Sequence, residues 1–300
     1  MLNAIIETAM KYGCKYKENA DMSEYTSFKT GGKASLIIMP NCIDALSALK
    51  ESCIQNDIKM YVLGNGSNVL VSDNGLKGVV IHIGADFSDI KYLGGGKIIC
   101  EAGISLTRLC NFALKNNMSG LEFAFGIPGT AGGAAYMNAG AYGGEMKDVL
   151  IGCSYIDKNG DDGVFTGDEL ELGYRKSVFT NTDYIITMLS LQLKEGNYDE
   201  IKALMNANLS RRKEKQPLEY PSAGSTFKRP EGNFAGTLIE KNGLKGYSVG
   251  GAQVSEKHAG FIINKGGATT GQILELIKYV QSTVFKNDGV MLSPEVKFFE

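Results

Sequence analysis

The sequence GIPGTAGGAAYMNAGAYGG occupies residues 126–144 and constrains the fold more than any other stretch. Ile127 is the only bulky aliphatic residue in it, apart from two tyrosines and a methionine. Small side chains let backbone lie close to a flat or anionic ligand, and Asn138 and Tyr142 can add polar contacts. A long glycine and alanine loop without function is the alternative, but long loops in compact domains usually carry function. The segment therefore predicts a ligand site.

The first glycine-rich segment of the chain reads LGNGSNV over Leu63–Val69, between two predicted strands, and residues 126–144 form the second. Its glycines can turn backbone N–H groups towards an anion such as a pyrophosphate, and Ser67 and Asn68 add side-chain donors. A strand follows the glycines where a Rossmann dinucleotide site would have a helix, so that site is not expected here. A simple hairpin turn is an equally good interpretation of this segment.

The composition is that of a globular protein with enough chain for two or more domains: 300 residues, 43% hydrophobic and 21% charged. A net charge of −2 gives no sign of a nucleic-acid surface, and the six cysteines lack the C-x-x-C spacing of zinc sites. Scattered cysteines fit a reducing cytosol. No apolar run approaches the roughly 20 residues that span a bilayer, and residues 1–11 do not resemble a signal peptide. We therefore expect a cytoplasmic protein without metal, nucleic-acid or membrane partners.

Hydrophobic spacing predicts several helices and many short strands. The helices are Met1–Met10, Asn41–Asn56 with Asn41 as cap, Ser105–Lys115 with Ser105 as cap, Tyr198–Lys215 with Leu204 on its buried side, and one through Ile273–Val284 flanked by Gly271 and Gly289. The strands are Ser35–Met39, Met60–Leu63, Val69–Ser72, Val79–Ile83, Asp89–Leu93, Lys97–Glu101, Val149–Asp157, Gly163–Thr166, Tyr184–Lys194 and Met291–Phe299. The first two strands and the helix between them suggest a small βαβ unit. A break near residue 196 predicts one domain over 1–196, in parts of about 1–70 and 71–196, and a second over 197–300.

Three polar residues of the later chain are candidates for chemistry. Ser225 follows a glycine at a predicted turn, where its hydroxyl is presented openly or bonds its own turn. Arg175 could hold a carboxylate with its guanidinium, or be an ordinary surface arginine. Glu295 follows a proline in the last predicted strand and faces either a partner or solvent. With only two histidines and no nucleophile-elbow sequence, acyl-transfer chemistry is weakly supported.

The two glycine-rich segments, together with Thr30–Gly32, resemble the flavin-binding signature of the UDP-N-acetylenolpyruvoylglucosamine reductase family. The motifs that carry the resemblance are GIPGTAGGA at 126–134, NAGAYG at 138–143 and GNGSN at 64–68, and it extends from about Tyr25 to Glu300. It implies an α+β fold, namely an FAD-binding fold of the vanillyl-alcohol-oxidase (PCMH) type with two α+β subdomains, followed by a C-terminal α+β substrate-binding domain. It also implies non-covalent FAD and NADPH as co-substrate.

The resemblance assigns roles to individual residues. It places at the FAD Thr30, Gly31, Gly32, Gly64, Asn65, Gly66, Ser67, Asn68, Gly126, Pro128, Gly129, Thr130, Gly132, Gly133, Asn138, Ala139, Gly140 and Tyr142. It makes Ser225 the proton donor to C2 of an enolpyruvyl group, with Arg175 and Glu295 stabilising the intermediate. It places at the substrate Lys215, Arg229, His258 and Lys297, the last of which would share a strand face with Glu295. His258 by itself reads equally well as a half-buried residue at a strand end.

The implied reaction is the NADPH-dependent reduction of UDP-N-acetylglucosamine enolpyruvate to UDP-N-acetylmuramate. That reaction belongs to peptidoglycan precursor synthesis, and so to cell-wall biogenesis, cell shape and cell division. Only Lys176–Asp183 separate Arg175 from the next predicted strand, which indicates the shorter subclass without an inserted tyrosine loop. Two alternatives stay open, a sugar or lactone oxidase of the same fold and a non-catalytic flavin- or nucleotide-binding protein. We expect a monomer.

Overall fold

A computed structural model describes residues 2–300 of the chain, which form two compact units. The first unit contains the chain up to Glu18, Leu36–Asn65 and Gly78–Arg211, and the second contains Asn19–Ser35, Gly66–Lys77 and Arg212–Glu300. Each unit is thus assembled from three stretches, whereas the sequence suggests one cut near residue 196. The domain limits given above stay a prediction.

Within residues 2–300 the α-helices are α1 (Leu2–Lys11), α2 (Ile43–Gln55), α3 (Leu106–Lys115), α4 (Ala131–Tyr136), α5 (Tyr198–Lys215), α6 (Ala235–Lys241) and α7 (Thr270–Asp288). Five of them match predicted helices, whereas the sequence pattern does not predict α4 and α6. As predicted, Ser105 caps α3, its hydroxyl oxygen accepting a hydrogen bond from the backbone N–H of Arg108.

The strands are numerous and short. They are β1 (Lys15–Asp21), β2 (Lys33–Met39), β3 (Met60–Leu63), β4 (Val69–Val71), β5 (Leu76–His82), β6 (Ile90–Gly94), β7 (Lys97–Glu101), β8 (Met118–Ser119), β9 (Gly140–Ala141), β10 (Gly144–Glu145), β11 (Leu150–Ile156), β12 (Asp162–Thr166), β13 (Ile185–Gln192), β14 (Lys194–Glu195), β15 (Ser248–Val249), β16 (Ala252–Val254), β17 (Ile262–Asn264) and β18 (Lys297–Phe299). Helices and antiparallel sheets together confirm the expected α+β class.

The centre of the first unit is an antiparallel sheet in the order β12-β11-β13-β7-β6. Leu189 of β13 lies opposite Cys153 on one side and Cys100 on the other, and all three are buried. Alternate residues of β13 are buried along its second half, because successive side chains of a strand point to opposite faces. This sheet supports α4 and the loop after β12, which carry predicted site residues.

A second sheet has the order β1-β2-β5-β3, with β3 and β5 parallel and Met60 opposite Val79. Because β5 lies between β2 and β3, these two strands are not neighbours as a minimal βαβ unit would have them. The predicted cap of α2 is wrong: Cys42 caps the helix, its Sγ accepting from the N–H of Ala45 at 3.4 Å. Asn41 instead donates to the carbonyl oxygen of Tyr12.

The second unit packs α6 and α7 around a small apolar core beside the sheet β15-β16-β17. Helix α7 begins with a capping box formed by Thr269 and Gln272, and it ends at Gly289, which has φ +71°. Gly271, predicted to flank this helix, is its second residue.

Two predictions about side chains and strands are wrong. Leu204 is half exposed, and the buried side of α5 is formed by Ile201, Met205 and Asn208. The last strand covers only Lys297–Phe299, paired in parallel with β4, and not Met291–Phe299. Pro294 lacks a donor for a strand ladder, and the residues around it bond to a different segment of the unit, described below.

Candidate active site

The first glycine-rich segment connects β3 to β4, which belong to different sheets. Strand β3 pairs with β5 and strand β4 with β18, so the segment is not a hairpin turn. Ligand binding by this segment stays a prediction.

Gly64 of the first glycine-rich segment packs against Thr130 of the second within the first unit. A Cβ atom on Gly64 would lie 2.5 Å from Oγ1 of Thr130, so no larger residue fits without a shift. Ile83, the residue after β5, supports the turn as well, because its N–H donates to the carbonyl oxygen of Leu63 at 2.8 Å. The His82 ring hydrogen-bonds the Gly64 backbone, and burial lowers its pKa despite that bond and the nearby Asp86 carboxylate.

The second segment is partly helical. The Thr130 hydroxyl caps α4, accepting from the N–H of Gly133 at 3.2 Å. A Cβ on Gly132 would lie 2.7 Å from the Cβ of Ala102, and the alanines of α4 are buried. Small residues are therefore needed here so that α4 can pack closely on the chain after β7.

Gly133 has a different environment from Gly132. It is exposed, and the nearest protein atom to a Cβ added at this position would be Oγ1 of Thr130 at 3.4 Å, an ordinary contact. Packing within the protein therefore does not require glycine at 133, which fits close approach of a flat cofactor to the backbone. The neighbouring Tyr142 is also exposed and has φ +53°, a conformation that side-chain-bearing residues rarely adopt. The residues present thus fit FAD.

Arg175 lies in a tight turn of the first unit. Gly173 and Lys176 exchange two backbone hydrogen bonds of 3.0 and 3.2 Å, so Tyr174 and Arg175 form the centre of the turn. The guanidinium donates from Nη2 to the carbonyl oxygen of Gly140 at 3.4 Å and lies 5.3 Å from the centre of the Tyr174 ring. Arg175 is therefore held beside the second glycine-rich segment.

Asn138 is fully buried, and its side chain is bonded within the protein. Its Nδ2 donates to Oε2 of Glu145 at 2.9 Å and to the carbonyl oxygen of Gly173 at 3.0 Å. Its Oδ1 accepts from the N–H of Lys147 at 2.9 Å. The sequence suggests that this side chain contacts a ligand directly, but both of its amide donors are engaged inside the unit.

Ser225 lies on an extended segment of the second unit. It follows Gly224, which has φ +74°, and it is exposed, which favours the openly presented hydroxyl among the two interpretations of the sequence. The segment is fixed by a bridge between Ser225 and Phe261 and by the N–H of Thr226, which donates to the carbonyl oxygen of Gly260 at 2.8 Å. The hydroxyl is thus exposed on a well-supported backbone.

Glu295 lies on the other side of the same segment. Its N–H donates to the carbonyl oxygen of Thr226 at 2.8 Å, and its own carbonyl oxygen accepts from Nδ2 of Asn68 at 3.3 Å. The N–H of Lys297 donates to the carbonyl oxygen of Asn68 at 2.9 Å. The structure therefore brings together Ser225, Glu295 and Asn68. The expectation that Glu295 and Lys297 share a strand face is wrong, since only Lys297 belongs to β18.

The predicted substrate residues occupy exposed or half-buried positions of the second unit. Lys215 is the exposed last residue of α5, and Arg229 lies with its guanidinium 3.9 Å from the centre of the Phe234 ring. His258 lies in the loop between β16 and β17, where its Nδ1 accepts from the N–H of Gly260 at 3.1 Å. Burial lowers the pKa of His258, and the positive charge of Lys245 adds to that effect.

Thr30–Gly32 pack against β4 and α7 in the second unit. A Cβ on Gly31 would lie 2.8 Å from the Val71 side chain, and the Thr30 hydroxyl accepts from that of Thr270 at 3.1 Å. Sequence reasoning missed Asp73, whose carboxylate accepts from the N–H groups of Thr270 and Gly271 at 2.8 and 2.7 Å. A lone aspartate two residues after a strand carries no signal for that contact.

Within residues 2–300 no group of three or more metal-ligating side chains could hold a metal ion. None of the helices in the same part of the chain is long and apolar enough to cross a membrane.

Comparison with known proteins decides the family. The chain is 52% identical over 92% of its length to UDP-N-acetylenolpyruvoylglucosamine reductase of Clostridium botulinum (strain Hall), covering 90% of that protein. The chain belongs to the UDP-N-acetylenolpyruvoylglucosamine reductase family. The enzyme of that name from Caldanaerobacter subterraneus subsp. tengcongensis is 50% identical over 93% of this chain and 92% of its own length.

Family models and a solved structure agree with this membership. Residues 34–161 match an FAD binding domain, and residues 216–299 match the C-terminal domain of UDP-N-acetylenolpyruvoylglucosamine reductase. The crystal structure of the reductase from Thermus caldophilus has a TM-score of 0.81 and 35% identity, covering 96% of this chain and 99% of that one. The expected FAD-binding fold with a C-terminal domain is confirmed, and so is FAD as the cofactor. The individual site residues stay a prediction.

Proposed function

We propose that this protein reduces UDP-N-acetylglucosamine enolpyruvate to UDP-N-acetylmuramate with electrons from NADPH. The observation that supports this most strongly is the 52% identity with the Clostridium botulinum reductase across 92% of the chain. The match of residues 216–299 to the C-terminal domain of the reductase disfavours a sugar or lactone oxidase of the same FAD-binding fold. The exposed Ser225 beside Glu295 disfavours a protein that only binds flavin.

The residues of the chain have separable tasks in this reaction. FAD, when bound, supplies the redox chemistry that connects NADPH to the enolpyruvyl group. Gly133 and the backbone around Gly64 would hold it, since Gly133 is open to close approach and Gly64 lets its turn pack on Thr130. Lys215 binds the diphosphate of the nucleotide sugar, and Arg229, His258 and Lys297 line the substrate.

Addition of hydride at C3 of the enolpyruvyl group places negative charge on C2 and on the carboxylate. Arg175 stabilises that charge with a guanidinium held by Gly140 and its own turn. Ser225 donates the proton to C2, which completes the reduction of the double bond. Glu295 stabilises the intermediate together with Arg175. Because a hydroxyl is a weak acid, Glu295 also assists the proton transfer from the neighbouring backbone segment.

The product is a precursor of peptidoglycan, which connects the activity to cell-wall biogenesis, cell shape and cell division. A cytoplasmic location is supported by the six free cysteines, which fit a reducing compartment, and by the use of NADPH and a nucleotide-activated sugar. We infer a monomer that needs no nucleic-acid or membrane partner.

The test uses the purified chain. Its visible spectrum reports bound flavin, and NADPH oxidation is followed with and without UDP-N-acetylglucosamine enolpyruvate under anaerobic conditions. We expect a yellow protein that oxidises NADPH continuously only with the enolpyruvyl nucleotide, and UDP-N-acetylmuramate as product. A colourless protein that cannot be reconstituted with FAD would contradict the proposal, as would turnover with a simple sugar or lactone in its place.

A further inference from the structure

Asn138 connects two parts of the first unit that the sequence does not relate. Its amide group donates to the carbonyl oxygen of Gly173 at 3.0 Å, and Gly173 is the first residue of the turn that contains Arg175. The same carbonyl oxygen accepts the N–H of Lys176, which closes that turn. The asparagine therefore holds the turn at the residue where it begins.

The conformation of this region is unusual for its residue types. Arg175 has φ +53° and Asn138 has φ +44°, in the left-handed region that glycine normally occupies. Glycine is the common residue at the third position of a turn that needs positive φ. An arginine there adopts a costly backbone conformation, which surrounding contacts must maintain and which is typical of functional sites.

Contacts from outside the turn help to maintain that conformation. Asn138 bonds Gly173 at one end of the turn, and the Arg175 guanidinium bonds the carbonyl oxygen of Gly140, two residues after Asn138. The asparagine is itself oriented by Glu145 and by the N–H of Lys147, each at 2.9 Å. Because a buried amide with all these partners has one stable orientation, it fixes the turn relative to the second glycine-rich segment.

We propose that Asn138 is a positioning residue for Arg175, and that any contact of this residue with FAD is made by its backbone alone. The inference rests on the proposed function, because it assigns Asn138 to the step in which Arg175 stabilises negative charge on the substrate. Loss of the amide leaves the Gly173 carbonyl bonded only to Lys176 and loosens the orientation of the guanidinium. A displacement of about 1 Å in a catalytic group can cost roughly 10²-fold in rate.

The experiment is a double-mutant cycle on the two half-reactions. Asn138→Gly removes the side chain and tolerates the positive φ, and Arg175→Ala removes the guanidinium. We expect Asn138→Gly to slow reduction of the enolpyruvyl nucleotide by about 10- to 100-fold while reduction of the flavin by NADPH and the FAD content stay nearly unchanged. In the Arg175→Ala background, Asn138→Gly should have little further effect, since the two residues act through one interaction.

Asn208→Ala is the matched control, because Asn208 is another buried asparagine of this unit and donates to the carbonyl oxygen of Glu122 at 3.1 Å. It should lower stability without changing the ratio of the two half-reactions. If Asn138→Gly does not fold, Asn138→Ser keeps a small uncharged polar group in the buried site while removing the amide, and the same cycle applies.

Two results would overturn the inference. One is an equal loss from Asn138→Gly with and without Arg175, and the other is loss of FAD with both half-reactions slowed alike. Failure of the proposed function is distinguishable, because the unmodified chain would then not reduce the enolpyruvyl nucleotide at all.

Discussion

The backbone N–H of Glu295 donates to the carbonyl oxygen of Thr226 at 2.8 Å, so Glu295 lies beside the extended segment that carries Ser225. The bridge between Phe227 and Pro294 and the bond from Lys228 to Ser293 continue the same pairing. A carboxylate and an exposed hydroxyl from distant parts of the sequence thus lie on adjacent backbone segments. A proton donor and its assisting acid must lie close together, and adjacent backbone segments are the first condition for that.

Replacing Ser225 with alanine tests the proton donor. Ser225→Ala should leave reduction of the flavin by NADPH nearly intact and slow reduction of the enolpyruvyl nucleotide by roughly 10²-fold or more, because the variant has no proton to give to C2. Stopped-flow absorbance of the flavin measures the two half-reactions separately. Ser222→Ala, in the same loop, serves as the control. Equal losses in both half-reactions would show that Ser225 is structural.

Replacing Glu295 with glutamine tests the assisting acid. Glu295→Gln preserves the size of the side chain and all the backbone bonds to Thr226 and Asn68, so the fold and FAD content should not change. We expect the rate of nucleotide-sugar reduction to fall about tenfold or more and its pH profile to lose one ionisation. Glu231→Gln, at an exposed position, is the control. An unchanged pH profile would exclude a role for the carboxyl group in proton transfer.

The sequence predicts local structure well wherever one element buries one face. The bounds of α5 are those expected, and the cap of α3 is correct, because short-range spacing and capping determine both. The segment around Glu295 could not be predicted in the same way. Its partners are Thr226 and Asn68, which are far away in the sequence, and Pro294 is the only local sign that a regular strand does not form there.

Site residues show the same division between local and long-range information. The glycines at 64 and 132 are recognisable in the sequence, but only the structure shows that they are needed for contacts with Thr130 and Ala102. Asn138 looks like a ligand contact because it lies among small residues. Its bond to Gly173 depends on a turn 35 positions later, which no pattern near Asn138 reveals.

The two histidines predict how stability depends on pH. Burial is the main cause that lowers the pKa of both His82 and His258 below the ordinary 6.5, although Asp86 and Glu240 respectively oppose it. Between the folded-state pKa and 6.5 the unfolded chain therefore binds more protons than the folded protein, so the free energy of unfolding falls as the pH falls through this range. Above pH 6.5 both rings are mostly neutral in the folded and the unfolded chain, so they no longer make the free energy of unfolding depend on pH.

Guanidinium unfolding of the FAD-free chain between about pH 5 and pH 7.5 measures this slope. Asp157 and Asp288 do not contribute there, because hydrogen bonds hold their pKa values below the ordinary 3.8. His82→Gln and His258→Gln should each make the stability less dependent on pH. Stability that stays constant over this range in the unmodified chain would show that neither ring is kept neutral by burial.

Alanine substitutions of Gly133 and Gly64 distinguish a glycine that contacts the cofactor from a glycine that is needed for packing within the protein. Gly133 is an exposed residue of α4 with only an ordinary contact to Thr130, so Gly133→Ala should stabilise the FAD-free protein by up to about 1 kcal/mol through helix propensity. If FAD approaches the backbone there, the added methyl group should weaken FAD binding at least several-fold, as measured by flavin fluorescence titration.

Gly64→Ala makes the opposite comparison, because its Cβ would lie 2.5 Å from Oγ1 of Thr130 and strain the protein itself. This variant should lower the stability of the FAD-free protein as well as its affinity for FAD. A substitution that raises the stability of the FAD-free protein and lowers its affinity for FAD therefore indicates a position that faces the cofactor. An affinity for FAD that Gly133→Ala leaves unchanged would therefore mean that the cofactor does not lie against α4 at residue 133.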